Sequence, residues 1–227
     1  MPRMGLNKYL MHRIAPCIHF ALDHRYCMSG LTLDWNYMGE SGARALFGNK
    51  SVQWHHLQHL SLRNTNIGNG GCMILFRAIA DDKMPDLASL SLNSVGLEDS
   101  GARELWRVVP RLRDLAILSL SSNDFGPRGL EDLLRPMHGE WMPALRCLHM
   151  KYMHKMEETG NQADKFMARA ILTKRFPALR VLTVADNFEG TKLAFKALED
   201  ERSAARSRKR AEKWLKKTPT SLSVLSQ

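Results

Sequence analysis

Apolar residues recur along this chain in a pattern that combines the alternation of a strand with the spacing of a helix. Within residues 57–75, leucines stand at the first, fourth and sixth positions, and apolar residues at helical spacing follow them. The alternation of Leu60, Ser61 and Leu62 is typical of a short strand whose leucines point inward. Each unit is therefore predicted to be one strand followed by one helix.

The pattern begins six times along the chain, at near-constant intervals. The intervals are 29, 30, 28, 30 and 34 residues, and the starts are Met28, Leu57, Leu87, Leu115, Leu145 and Leu179. A unit of this length cannot bury its apolar side alone, so successive units must stack into a solenoid. The inward leucines of the central units are predicted to be buried, namely Leu60, Leu62, Leu90, Leu92, Leu118 and Leu120.

Two further features follow the strand in most units. An asparagine, whose side chain can hydrogen-bond the turn, stands where the chain leaves the strand at Asn36, Asn123 and Asn187. Other residue types take that position elsewhere, at Thr65, Val95 and Met153. Glycine then recurs at Gly42, Gly71, Gly101 and Gly129. It is predicted either to let the helix approach its neighbour closely or to let the backbone turn.

This combination resembles the ribonuclease-inhibitor-like subfamily of leucine-rich repeat proteins, over about residues 28–190. The resemblance implies an α/β solenoid of about six repeats, with a curved parallel sheet on the concave side and helices on the convex side. That subfamily serves many partners, so the resemblance does not identify one. We predict a non-enzymatic protein-interaction scaffold or adaptor that is a component of a larger assembly.

Two alternative functions stay open. One is a structural subunit of a ribonucleoprotein that contacts RNA through the C-terminal segment. The other is a regulator of a small GTPase, because GTPase activators of the Ran type resemble the same subfamily. Those activators tend to carry acidic C-terminal regions, whereas this chain ends in a basic one.

The chain divides into three predicted parts: an N-terminal cap over residues 1–27, the solenoid over 28–190, and a basic C-terminal helix and tail over 191–227. Residues 1–27 carry no acidic residue before Asp23. They fit either a cap on the open apolar end of the solenoid or a mitochondrial targeting segment.

Composition places the chain in a folded class with a basic bias. The formal net charge is +10, and no apolar run approaches the length of a membrane-spanning helix. The four cysteines, Cys17, Cys27, Cys72 and Cys147, form no C-x-x-C pair. We therefore expect no membrane partner and a cytoplasmic or other reducing intracellular compartment, with the mitochondrion and the nucleus as alternatives.

Much of the basic charge lies near the C-terminus. Residues 191–218 hold ten basic and four acidic residues, without proline, and so predict one long helix. This helix is either a solvated cap or an arm that contacts an acidic partner, RNA or an acidic protein. The residues predicted to contact such a partner are Arg206, Arg208, Lys209, Arg210, Lys213 and Trp214.

Four surfaces qualify for a protein partner, and the first is the helical outer face of the solenoid. The strand register puts polar residues on the concave wall, with these as candidates: Asp34, His59, Ser61, Arg63, Ser91, Asn93, Ser119, His149 and Lys151. The loop edge beside the sheet would offer Trp35, Tyr37, Asn66 and Phe125. The fifth unit is lengthened by an insertion at residues 151–165, and insertions in solenoids often mark a binding edge. The side chains of this insertion predicted to contact a partner are Tyr152, Met153, His154 and Met156.

Sequence motifs for catalysis are missing. No nucleophile elbow and no phosphate-binding P-loop occurs in the chain. His55, His56 and His59 are close in sequence, but no further metal ligand stands near them in the same unit. We predict no catalytic residue, no bound metal and no cofactor.

Overall fold

A computed structural model describes residues 7–23, 28–108, 111–134, 142–153, 161–172, 176–186 and 188–217. Strands and helices alternate along the described chain. The strands are β1 (Gly30–Thr32), β2 (His59–Ser61), β3 (Ser89–Ser91), β4 (Ile117–Ser119), β5 (Cys147–Met150) and β6 (Val181–Val184). The helices are α1 (Lys8–Asp23), α2 (Gly39–Phe47), α3 (Gly68–Ala80), α4 (Asp99–Val108), α5 (Pro127–Leu134), α6 (Asn161–Leu172) and α7 (Glu189–Lys217).

The six described strands form one parallel sheet in chain order, β1 to β6. Each strand pairs in register with the next, so that Leu60 lies opposite Leu90 and Leu90 opposite Leu118. All six leucines predicted to be buried are at most 1% exposed. The solenoid architecture and its register are therefore confirmed.

The glycine after the strand serves close packing. A Cβ atom on Gly71 would lie 2.7 Å from Ile67 Cβ, closer than real Cβ contacts, and 3.0 Å from Ala43 Cβ, which is tighter than most. The turn into the helix is made instead by Gly39 and Gly68, whose φ angles are 60° and 66°. The close-approach alternative is the one that holds at Gly71.

Several helices are capped by the repeat before them. Asp99, at the start of α4, accepts hydrogen bonds from the amides of Gly126 and Gly129 at the start of α5, at 2.7 and 3.1 Å. Asp164 in α6 accepts in the same way from Gly190 and Thr191 at 2.8 and 2.7 Å. A carboxylate at a helix N-terminus satisfies amides that the helix leaves free. These caps tie successive repeats together on the convex side.

The turns after the strands are held by buried polar side chains. Asn36 donates to the carbonyl of Leu33 at 2.8 Å, and Thr65 donates to that of Leu62 at 2.5 Å. Both residue types therefore close the turn of their own repeat, as predicted for asparagine. The equivalent Asn187 of the last repeat lies outside the described residues.

Asn123 also reaches the preceding repeat, where Val95 supplies no polar side-chain group. It donates to the carbonyl oxygen of Leu92, and its Oδ1 accepts from the amides of Val95 and Leu97 in that turn. One asparagine therefore serves two turns.

Helix α1 lies against α2 at the first repeat. Met11, Ala15 and Ile18 are buried in this contact, and His19 Nε2 lies 2.7 Å from the carbonyl oxygen of Leu46. This packing favours a cap over a targeting segment for residues 1–27. The three-part division of the chain stays a prediction.

Helix α7 packs on α6, and its buried side chains, among those described, lie in its first half. Thr191, Ala194 and Leu198 are buried, and the Arg202 guanidinium donates to the carbonyls of Leu179 and Pro177. Burial lowers the pKa of Arg202, and neighbouring Arg180 adds to that effect. From 203 onward every described side chain is exposed. Among the described side chains, the docked part of the helix extends to Arg202.

Candidate functional site on the loop edge

Polar residues of the concave wall hold the repeats together. One carboxylate oxygen of Asp34 accepts from Ser61 Oγ at 2.6 Å and from the Arg63 amide at 2.9 Å. Asn93 Oδ1 accepts from the Ser121 amide at 2.8 Å. Because these groups satisfy one another across repeats, a partner would have to compete for them. Several of the residues predicted to bind a partner on the concave wall therefore stabilise the contacts between repeats.

The other concave candidates divide between buried and open positions. Ser119 is buried and offers little surface to a partner. His149 Nδ1 lies 3.0 Å from Thr183 Oγ1, and Ser91 Oγ lies 3.4 Å from Asn93 Nδ2. His59 and Arg63 are exposed, and Lys151 is half-buried. Among these candidates, Arg63 also contacts an aromatic residue of the neighbouring turn, Trp35.

The loop edge is the row of turns that follows the strands, and its backbone repeats a left-handed conformation. In five repeats, one residue of this turn has φ between 53° and 62°. It stands two positions after the last inward apolar residue of the strand segment, as Asn64 does after Leu62. These residues are Trp35, Asn64, Ser94, Ser122 and Tyr152. Asparagine adopts this conformation readily, whereas a bulky side chain there is strained. Two repeats nevertheless place an aromatic residue at this point.

The first aromatic residue belongs to a cluster of exposed side chains. Trp35 is 44% exposed and Tyr37 76% exposed, and the Arg63 guanidinium carbon lies 5.6 Å from the Trp35 ring centroid. A pocket of about 330 Å³ opens beside them. Its lining comes from three successive turns and consists of Trp35, Tyr37, Asn64, Asn66 and Ser94. We call these five residues and Arg63 the edge cluster.

A second aromatic residue stands at the same place in the fifth repeat. Tyr152 is 57% exposed, and Lys151 Nζ lies 5.2 Å from its ring centroid. Lys151 also lies 3.9 Å from the Asp186 carboxylate. This pair repeats the aromatic and basic chemistry of the edge cluster in another repeat, and it provides a matched comparison.

Two predictions about these surfaces were wrong in part. Phe125 is fully buried, because its repeat turns the side chain into the core, so it is not part of the loop edge surface. Met153 is likewise buried at 1% exposure and offers no contact area. Within the insertion, Tyr152 is exposed, while His154 and Met156 lie outside the described residues.

Of the residues predicted to meet an acidic partner, two can be placed fully. Arg206 and Lys209 are exposed on α7 beyond the docked segment. Arg208, Arg210, Lys213 and Trp214 lie within the helix, but outside the residues whose side chains are described.

Residues capable of catalysis are not brought together in the described part of the chain. His55, His56 and His59 are all exposed, and no group of three or more His, Cys, Asp or Glu side chains there could hold a metal ion. Burial raises the pKa of the Cys72 thiol to about 12, so it stays protonated near neutral pH. Cys72 is therefore a packing residue.

The sequence predicts Trp35, Tyr37 and Asn66 at the loop edge and Arg63 on the concave wall. It does not indicate that Asn64 and Ser94 line the pocket, or that Arg63 lies over Trp35. Alignment of the repeats could have found Asn64 and Ser94, because both occupy the position of Trp35, directly before the residue equivalent to Asn36.

Comparison with known proteins agrees with this fold. A family profile described as Leucine Rich repeat matches residues 55–75 and 112–134. Among solved structures, the chain is similar to "Leiomodin-1 Actin-Binding Site 2 (ABS2)", with a TM-score of 0.56 and 15% sequence identity over 71% of this chain and 90% of that one. Comparison with curated protein sequences gives no match.

The repeat pattern, the parallel sheet and these matches show that the chain has the α/β fold of a leucine-rich repeat solenoid, with leucine-rich repeats matched at residues 55–75 and 112–134. At 15% identity the likeness to the leiomodin structure is one of fold alone. Within the described residues, no helix combines the length and apolar character needed to cross a membrane.

Proposed function

We propose that this protein is a non-enzymatic interaction scaffold, a component of a larger assembly, that binds a protein partner through the edge cluster. One observation carries the proposal: Trp35, Tyr37 and Arg63 are exposed together around a pocket. Trp, Tyr and Arg are the residues most enriched where alanine substitution weakens protein interfaces strongly.

Backbone strain supports the same choice of surface. Trp35 has a φ of 62°, a conformation that costs a bulky residue roughly 1–2 kcal/mol. The second, third and fourth repeats place Asn64, Ser94 and Ser122 there instead. A bulky residue held in this conformation is a reason to look for a functional role at its position.

The test is quantitative affinity capture from a lysate with mass spectrometry, using wild type and the double variant Trp35→Ala with Tyr37→Ala. We expect capture of the partner to fall by at least about tenfold, since alanine at such positions typically costs over 1 kcal/mol of binding. The matched control is Tyr152→Ala, which removes an exposed aromatic residue from the same register four repeats away. Equal loss in both variants would argue against the edge cluster as the contact surface.

RNA binding by the distal half of α7 is the second candidate function. Arg206 and Lys209 are exposed past Arg202, and residues 203–217 contain seven basic residues and one acidic residue. As a helix this stretch is about 22 Å long. Phosphates attract such a charge density strongly, and the attraction depends on salt.

Deleting residues 203–217 tests this candidate without disturbing the docked helix, because Arg202 and its two carbonyl partners remain. We expect an unchanged melting temperature. Affinity for a fluorescein-labelled single-stranded RNA would fall. The slope of log affinity against log salt would also fall, by somewhat under one unit for each phosphate that the deleted residues neutralise. The control removes two exposed solenoid charges, with Arg111→Gln and Arg113→Gln. If the deletion variant binds RNA as wild type does, the distal helix is only a solvated extension.

Three finer points concern the class of partner, the repeat subfamily and the compartment. Leiomodin-1 is described as binding actin, and a similar fold in an actin-binding structure supports a protein as the class of partner, without naming actin for this chain. Kinship with the ribonuclease-inhibitor-like subfamily stays a proposal, as does a reducing intracellular compartment. No observation in the described residues favours a small-GTPase regulator, and we do not propose it.

A further inference from the structure

We propose that the pocket of the edge cluster binds an extended, proline-containing segment of the partner, in the polyproline II conformation and with an acidic residue beside the prolines. This inference rests on the proposed function and specifies what the same site recognises.

The length of the pocket fits one turn of such a segment. Its lining comes from the turns after β1, β2 and β3. Neighbouring strands lie about 4.8 Å apart, so three successive turns span about 10 Å. One polyproline II turn of three residues rises about 9 Å. A P-x-x-P segment lying along the solenoid axis would therefore place its first proline near Trp35 and its second near Ser94.

The lining chemistry also matches this ligand. The rings of Trp35 and Tyr37, both in the turn after β1, offer flat apolar faces for the ring of the first proline. The side-chain amides of Asn64 and Asn66 have no hydrogen-bond partner among the described residues, and can bond the carbonyl groups that a polyproline II chain leaves free. Aromatic grooves with such polar groups are the usual surface for proline-rich peptides.

Other modes of peptide binding fit this edge less well. The amides of Trp35, Asn64 and Ser94 already donate to the next repeat, at 2.8, 3.0 and 3.0 Å. Their left-handed backbone cannot accept an added strand. A helical ligand needs a long apolar groove, whereas three of the five lining residues are polar. The same hydrogen bonds fix the edge before binding, which lowers the ordering cost of association.

The positive charge of Arg63 at one end of the pocket favours a ligand with an acidic residue next to its prolines. The Arg63 guanidinium lies over the Trp35 ring, and Arg63 is exposed. One oxygen of the Asp34 carboxylate accepts from Ser61 Oγ and from the Arg63 amide. The guanidinium is thus held at the Trp35 end, where it can pair with a carboxylate of the ligand in a bidentate manner.

The test is selection from two displayed peptide libraries, one with random residues around a fixed P-x-x-P and one with alanines in place of both prolines. We expect the proline library to be enriched, with acidic residues flanking one proline. For a selected peptide, Trp35→Ala should weaken binding at least about tenfold. Arg63→Gln should weaken it less and remove the preference for acidic flanks. Tyr152→Ala should leave binding unchanged.

Absence of enrichment over the alanine library would overturn this inference, as would selected peptides that bind the Trp35→Ala variant as tightly as wild type. If selection fails while Trp35→Ala with Tyr37→Ala still abolishes capture of the partner from lysate, the edge cluster binds a folded protein surface. The proposed function would then stand without the polyproline ligand. If capture also persists, both fail.

Discussion

Replacing Asn123 by alanine is expected to lower the free energy of unfolding by about 3 to 5 kcal/mol. Asn123 is fully buried and makes four hydrogen bonds. It donates to the carbonyls of Leu92 and Leu120 at 2.7 and 2.9 Å, and accepts from the amides of Val95 and Leu97, both at 3.1 Å. Alanine would leave four buried backbone groups without a partner, and each such group costs about 1 kcal/mol or more.

Urea unfolding followed by circular dichroism measures this loss as a lower midpoint with little change in slope. The control is Asn93→Ala, which also removes a link between the third and fourth repeats, but at a half-buried position with one strong bond; about 1 kcal/mol is expected there. Asn123→Asp, which keeps the shape and loses both donors, should be nearly as damaging as alanine. A loss from Asn123→Ala no larger than that from Asn93→Ala would mean that the shared asparagine does not support two turns.

Leu90→Ala is expected to destabilise the solenoid by about 2 to 5 kcal/mol. Leu90 is fully buried at the centre of β3, in register between Leu60 and Leu118. Repeats on both sides hold the surrounding core apart, so the space left by the truncation cannot close easily.

Two further variants make the measurement specific to the core. Leu90→Met keeps the volume and should cost less than about 1.5 kcal/mol. Ile117→Ala in the neighbouring strand removes an apolar side chain that is 39% exposed on the concave face, and should cost well under the Leu90→Ala value. If Leu90→Ala cost no more than Ile117→Ala, the assignment of inward and outward positions would be incorrect.

The sequence predicts the architecture of this protein well because the same pattern of apolar and polar positions recurs in every repeat. Alternation at Leu60 and Leu62 sets the strand register, and stacking of equivalent units leaves the parallel sheet as the way to bury those leucines. The sequence leaves two alternatives open for Gly71, because the distance to Ala43 of the preceding helix depends on how the helices pack.

Hydrogen bonds between repeats are harder to foresee, since they join residues about thirty positions apart. The carboxylate of Asp99, at the start of α4, caps α5 of the following repeat, a contact that the pattern within one repeat does not indicate. Asp34 and Asn93 are predicted from the strand register to meet a partner, but their oxygens are used by the next repeat. A polar residue on a solenoid wall can serve either purpose, and the sequence pattern is the same for both.

The edge cluster is predictable only in part, for a related reason. Trp35 and Tyr37 are conspicuous in the sequence, but the left-handed backbone at Trp35 and the approach of Arg63 follow from the stacking of two turns. Phe125 stands at a comparable distance from its strand and is buried instead. It stands five positions after Leu120, the same offset as Ile67 after Leu62, and both are buried, so alignment of the repeats could have placed Phe125 in the core.

The measurement that tests the central claim most directly is the ratio of partner captured by the Trp35→Ala, Tyr37→Ala variant to that captured by wild type, at equal folded concentration. Melting temperature and circular dichroism establish that the variant is folded. The account predicts a ratio of about one tenth or below, with Tyr152→Ala near one. A ratio near one for the double variant would contradict a protein-binding function of the edge cluster.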